Sequence, residues 1–276
     1  MRQNLSKPML AALRTIAASD GKKISTTTMR ALKQRNLIDD SLSLTATGTT
    51  RAIAVFPLKT QCSMLGISYA EIEVPVSAKR PESKALRYYR NAGYQGISAE
   101  GTPVLLLVKA ATLDFVIEHR MQYESAEDCC RTYVEAHLTI HAEHKDELLR
   151  LVGKSRTRII KRNLKRIVGA FDPPGVAEEL TVANLTALYK KIGPEKLVEI
   201  AAALCEDPYG YRKGWPDLII WNKTDVRWLE IKTTDKLHAS QIDTFRRFGS
   251  IVPGKIEVVR VRAVEATSWI RRLTKR

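Results

Sequence analysis

Residues 214–241 alternate between what a protein core needs and what it excludes. Positions 218–221 and 226–231 are short aliphatic, β-branched and aromatic runs joined by a polar turn at 222–225, the pattern of a β-hairpin. Asp217 stands at the mouth of the first strand, and Glu230 and Lys232 lie two apart in the second. Side chains two apart on a strand share a face, so pairing the strands can bring Asp217 near the side that carries Glu230 and Lys232. Two carboxylates and an ammonium on one face suit a divalent cation better than a hydrophobic core. The same pattern also fits a surface hairpin with an ordinary cross-strand ion pair. The flanks separate the two readings. A surface hairpin has no need of Leu218, Ile219, Ile220, Leu229 and Ile231 beside its charges, so the hairpin is expected at the centre of a sheet, with a charged trio that calls for a function.

The charge of the whole chain points to an anionic partner. Its 45 Lys and Arg against 30 Asp and Glu give a formal net charge of +15. Such an excess attracts polyanions; without an apolar run long enough to span a bilayer, the expected partner is nucleic acid and not a membrane. The amino-terminal residues lack the sustained apolar stretch of a signal peptide. Cys62, Cys129, Cys130 and Cys205 form no Cys-x-x-Cys pair and have no His cluster beside them, which argues against structural zinc and for a reducing, intracellular compartment. That compartment would be the cytoplasm, at the nucleoid, for a prokaryotic or phage protein, and the nucleus for a eukaryotic one.

Residues 1–58 hold nine Lys or Arg against three Asp. Met9, Leu10, Leu13 and Ile16 form a helical stripe, and hydroxyl residues from Ser25 open a second helix bearing Arg30, Lys33 and Arg35. Leu37-Ile38, then Leu42-Ser-Leu-Thr-Ala-Thr-Gly48, resembles a winged-helix unit with residues 25–36 as its recognition helix. Winged helices dock on proteins as well as on DNA, and both roles fit. Residues 59–81 read as a connector with one extended run, Ile72-Glu-Val74-Pro-Val76, where Pro75 argues for a sheet edge. Helical patterns follow from Glu82 and Val104, and several more fill about 117–205. Within them Lys154, Arg156, Arg158, Lys161, Arg162, Lys165 and Arg166 surround an apolar stripe of Ile160, Leu164, Ile167 and Val168, with no acid in the run. This is either a solvated face or, as so many unopposed charges favour, a surface that tracks phosphates. Asp172-Pro-Pro-Gly breaks that helix. Two helices at about 182–192 and 194–204 lead back to the hairpin, and a helix at 239–248, a strand at 255–261 and a terminal helix complete the chain. Helix, three strands, helix, strand is the αβββαβ order of a restriction-endonuclease-like core, so the fold class expected is α/β (α+β).

Gly214-x-Pro-Asp217-Leu, then Glu230-x-Lys232, then Gln241 resembles the virus-type replication-repair nuclease (VRR-NUC) domain of the PD-(D/E)xK superfamily. Glu82-Ser-Lys-Ala-Leu-Arg-Tyr-Tyr, Gly93-Tyr-Gln-Gly and Ala99-Glu100-Gly101 are similar to the segment that precedes that domain in Fanconi-associated nucleases. Leu188-Tyr-Lys-Lys-Ile-Gly-Pro-Glu-Lys-Leu resembles their approach to the Pro-Asp strand. The likeness spans about 82–265. Ala99 stands where the family often has Gly, and Thr-Thr follows Lys232 where Gly-Pro is usual. The resemblance implies that Glu100, Asp217, Glu230 and the Ile231 carbonyl hold Mg²⁺ or Mn²⁺. It further implies a catalytic role for Lys232 with Gln241 beside it, and as substrate a flapped, nicked or branched DNA duplex. Expected is a monomeric, structure-selective deoxyribonuclease: residues 1–58 as the winged-helix-like unit, 59–81 as connector and 82–276 as nuclease with a helical insertion at about 117–205. The alternatives are a dimeric Holliday-junction resolvase and a non-catalytic DNA-binding regulator.

Overall fold

A computed structural model describes residues 5–20, 23–75, 80–120, 122–170 and 178–264. The expected break at Asp172-Pro-Pro-Gly, the end of the extended run at Val76 and the terminal helix lie outside them. In chain order the elements are α1 (Lys7–Ala17), α2 (Thr26–Gln34), α3 (Ala46–Ala54), α4 (Leu58–Leu65), β1 (Ser68–Pro75), α5 (Pro81–Asn91), β2 (Gln95–Ser98) and α6 (Thr102–Glu118). There follow α7 (Ala126–Arg131), α8 (Val134–Ile140), α9 (Lys145–Gly153), α10 (Thr157–Ala170), α11 (Val182–Leu204), β3 (Leu218–Trp221), β4 (Val226–Lys232), α12 (Ala239–Phe248) and β5 (Lys255–Val264).

The five strands form one mixed sheet in the order β1-β5-β4-β3-β2. The β3–β4 hairpin is therefore internal, and its turn is closed by Asn222, whose Oδ1 accepts from the amides of Thr224 at 3.0 Å and Asp225 at 2.9 Å. From α5 to β5 the elements run helix, strand, strand, strand, helix, strand, with the helical block between β2 and β3. The expected α/β architecture is thus present. β1 adds a fifth strand at the edge, parallel to β5, where Pro75 costs no ladder bond.

Alternation along the strands sorts the side chains between two cores. Leu218, Ile220, Leu229, Ile231, Val259 and Val261 pack on Ala85, Leu86 and Tyr89 of α5. Ile219, Trp221, Trp228, Ile256 and Val258 face the larger core, shared with α6, α11 and α12. A third cluster, around Leu13, Leu32, Ile38 and Ala52, belongs to α1–α3. In this unit the wing is reduced to a single bridge between Ile38 and Leu44. The two helices expected at about 182–192 and 194–204 form one kinked element, bent at Gly193 with φ 76°.

The basic run requires a correction. No acid lies within it in sequence, but Asp114 on α6 pairs with both Arg162 and Arg166, the latter at 3.4 Å. The interlock arises because α10 packs against α6, burying Ile160, Leu164 and Ile167, and so brings a distant carboxylate alongside. Lys154, Arg158, Lys161 and Lys165 remain exposed. In the amino-terminal unit Arg30 and Arg35 are exposed, whereas Lys33 pairs with Asp40 at 2.5 Å.

Candidate active site

The hairpin register builds half of the site. Leu218 pairs with Leu229 across the antiparallel strands; one step further out, Asp217 comes to lie opposite Glu230 on the face of Ile219 and Trp228. Asp217 Oδ2 accepts from the Ile231 amide at 2.7 Å, which fixes its carboxylate on the second strand. Glu230 is 1% exposed and Lys232 4%. Lys232 Nζ lies 3.0 Å from Glu230 Oε1 and 3.3 Å from Asp235 Oδ2. Gln241, in the first turn of α12, donates from Nε2 to Glu230 Oε1 at 2.5 Å. Its Oε1 accepts from the His238 amide at 2.9 Å, so helix capping fixes the amide at its other end.

The electrostatics follow from burial. Removal from water pushes the Asp217 carboxyl up to about 6, with the Ile231 amide opposing and Glu82, and more weakly Glu100, adding to the rise. Glu230 is pushed up to about 8, first by burial and then by the charge of Asp217, with Lys232 only partly offsetting them. Burial alone would lower the Lys232 ammonium; Glu230 and Asp235 more than compensate and hold it above its ordinary value. Glu230 Oε2 is buried without a hydrogen-bond partner. A desolvated carboxylate with an unused oxygen, next to a second desolvated carboxylate, has the donor chemistry that a hard divalent cation satisfies.

Glu100 arrives differently. It sits in the turn between β2 and α6 with φ 45° and is exposed. It borders a cleft of about 690 Å³ with Arg51, Lys213, Asp217, His238 and Gln241. Hydrogen bonds and ion pairs join Glu230, Lys232 and Gln241, but Glu100 takes part in none of them. Among the described residues no group of three or more His, Cys, Asp or Glu is placed to hold a metal ion.

Two glycines set the relation between these parts. A Cβ on Gly101 would run into the Trp215 ring, so this glycine seats the Glu100 turn on the Gly-Trp-Pro-Asp segment. Gly214 has φ 85°, and a Cβ there would strike the Ser240 carbonyl and the Gln241 amide. Only a residue without a side chain lets that segment pass under the start of α12. Glu82 and Asp235 line a second, adjoining cavity of about 420 Å³ with Asp217, Glu230 and Lys232, and the sequence marks neither as a site residue. A first-turn acid on a helix opened by Pro81 reads as a capping charge, and Asp235 reads as part of a loop.

Residues 153–263 match the family model described as VRR-NUC domain. That stretch, less than half of the chain, is similar to a VRR-NUC domain. The matched segment contains Asp217, Glu230, Lys232 and Gln241; Glu100, α5 and the amino-terminal unit lie outside it. A crystal structure of paFAN1 bound to 2nt 5'flap DNA with gap superposes on the chain with a TM-score of 0.59 at 15% identity, covering 93% of this chain and 49% of that one. A second, of paFAN1 bound to 1nt 5'flap DNA with gap, gives 0.48 at 16% identity over the same shares. The chain thus spans about half the length of the solved proteins that it matches, and the first likeness shows a common fold. No curated protein matches the chain.

Proposed function

We propose that the protein is a Mg²⁺- or Mn²⁺-dependent, structure-selective DNA nuclease that hydrolyses phosphodiester bonds at flaps or branched junctions during replication or repair. The observation that carries this reading is the Asp217–Glu230–Lys232–Gln241 group within the matched segment, with Glu230 and Lys232 buried and one Glu230 oxygen left unpaired. Asp217, Glu230 and the Ile231 carbonyl would hold the cation, completed by Glu100 from across the cleft. When bound, the cation supplies Lewis-acid charge at the scissile phosphate. Lys232, kept protonated by Glu230 and Asp235, orients the attacking water and offsets negative charge as the phosphate expands. Gln241 holds the Glu230 carboxylate in the rotamer that leaves Oε2 facing inward. The reaction centre is on the DNA backbone, so selectivity would come from shape and phosphate contacts. Arg30, Lys33 and Arg35 on one side and Lys154, Arg158, Lys161, Arg162, Lys165 and Arg166 on the other would supply them.

Cleavage mapping on end-labelled flaps, nicked duplexes, four-way junctions and single strands with Mg²⁺ tests the reading, with Asp217→Ala as the comparison. Cutting of flapped or nicked duplex that vanishes in the variant is the expected result. DNA binding without any cutting would leave the regulator alternative. The helical block between Glu100 and Asp217 covers one side of the sheet, which supports a monomer; a solution mass of twice 31.0 kDa without DNA would favour the resolvase.

A further inference from the structure

The amino-terminal unit is strapped to the helix that carries Gln241. Thr50, buried in α3, hydrogen-bonds Asp243 of α12. Arg246 of α12 donates to Ala46 O at 2.9 Å and to Thr50 Oγ1 at 3.1 Å. Lys236 donates to Val55 O at 3.3 Å. The wholly buried Gln61 accepts from the Leu237 amide at 2.9 Å and donates to Leu237 O at 3.3 Å and to Ile53 O at 3.2 Å. On the opposite side of α3, Gly48 lies against the Leu37 backbone and Ala52 belongs to the core of the unit. The helix is held from both sides, and this fixes where its next residue points.

That residue is Arg51. It is half-buried and lines the same cleft as Glu100, Asp217 and Gln241. Among the described residues its guanidinium has no hydrogen bond or ion pair. Most other arginines near acids here are paired, as Arg162, Arg166, Arg227 and Arg247 show. A planar, permanently charged fork with five donors, left unpartnered in a cleft that opens to solvent, is suited to an anion that arrives from outside. Lys213, on the approach to the Pro-Asp strand, borders the same cleft.

We propose that Arg51, from the amino-terminal unit, binds a backbone phosphate of the DNA strand lying in the cleft with Asp217 and Gln241. The unit is then a working wall of the active site and not only a tethered DNA-binding module. This rests on the nuclease reading of the cleft. The role is substrate binding, not catalysis, because Arg51 makes no hydrogen bond or ion pair with Asp217, Glu230, Lys232 or Gln241.

The test uses the full chain and a 5′-flapped duplex with fluorescence-anisotropy binding in an Asp217→Asn background, alongside cleavage in the wild-type background. Arg51→Gln should weaken binding about tenfold to a hundredfold. It should also reduce the slope of log affinity against log salt by about one ion. KM should rise with kcat little changed, and Arg51→Lys should recover part of the loss. Arg150→Ala, whose guanidinium is held by Glu147, serves as the charge-matched control, and melting curves check that each variant is folded. Unchanged affinity and salt slope for folded Arg51→Gln would overturn the proposal even if the protein cuts DNA. A wild type that cuts nothing would remove the nuclease reading instead, and the salt slope would still decide whether Arg51 holds a phosphate.

Discussion

Asp217 and Glu230 reach the site on paired strands in the middle of a sheet, whereas Glu100 reaches the neighbouring cleft, which Asp217 shares, on an exposed left-handed turn. The strand half is rigid and electrostatically costly. Its carboxyls are stripped of water, raised to about 6 and about 8, and fixed by the Ile231 amide, Lys232 and Gln241. The turn half is solvated and joined to the other by the pairing of β2 with β3 and by Gly101 against the Trp215 ring. Demand for positive charge therefore resides in the strands, and adjustability resides in the turn. On the proposed reading, a cation bound here would relieve a stress already built into the sheet.

The largest expected effect would sharpen that contrast. Asp217→Asn should lower the cleavage rate by roughly a thousandfold or more, while its melting temperature in chelator at pH 8 stays level or rises, because a buried charge has been removed. Glu100→Gln should lose a comparable amount of activity but show no gain in melting temperature. A loss below about tenfold in single-turnover assays would show that the two halves do not share one ion.

Backbone geometry gives the next effect. Gly214→Ala combines a positive φ with backbone collision at Ser240 and should cost about 2–4 kcal/mol in urea titrations. Gly101→Ala meets only the Trp215 ring, at an ordinary φ, and should cost about 1–3 kcal/mol. Equal costs would mean that the α12 contact is no tighter than the turn contact.

A pH series addresses the strand half alone. Unfolded Asp and Glu release their protons near pH 4, but folded Asp217 and Glu230 retain theirs up to about 6 and 8. The folded state binds more protons across that window, so stability in chelator should fall as pH rises from about 4 to 8 and level off above it. Saturating Mg²⁺ should flatten the slope, and cleavage should increase with pH over the upper part of the window. A chelator stability curve that climbs between pH 5 and 8 would contradict the raised carboxyls.

The smallest effect concerns the basic helix. Lys161→Ala should reduce flap affinity by a few-fold and the salt slope by about one ion. Arg162→Ala should do less, because Asp114 already engages that guanidinium. Isothermal titration at two salt concentrations separates them.

The strand half was legible because every step in it is local. Apolar runs of four to six residues, an Asn-initiated turn and a two-residue repeat place Asp217, Glu230 and Lys232 on one face without reference to the rest of the chain, and Gln241 follows within one helix start. Glu100 carried no such signal: a lone acid before a helix reads as a capping charge, and only its resemblance to the Gly-Glu-Gly segment of known nucleases pointed to it. Arg51, Glu82 and the Asp114 pairing were illegible for a physical reason. Each depends on how separate elements dock, and docking distances are not written in spacing. The edge position of β1 could be anticipated from Pro75, but not its partner.

That partner is the last described strand. β5, at Lys255–Val264, lies between β1 and β4 and runs parallel to both. Residues 68–75 therefore have no sheet to join until the polypeptide has been made almost 200 positions further, while α1–α3 close their own small core within the first 54. On the ribosome the helical unit would collapse early, and β1 would wait, its ladder unfilled, for a late arrival that threads between two earlier strands. Parallel pairing over such a separation is slow. On the nuclease reading, the cell would thereby gain an interval in which a very basic nascent chain could touch nucleic acid before it could sever it.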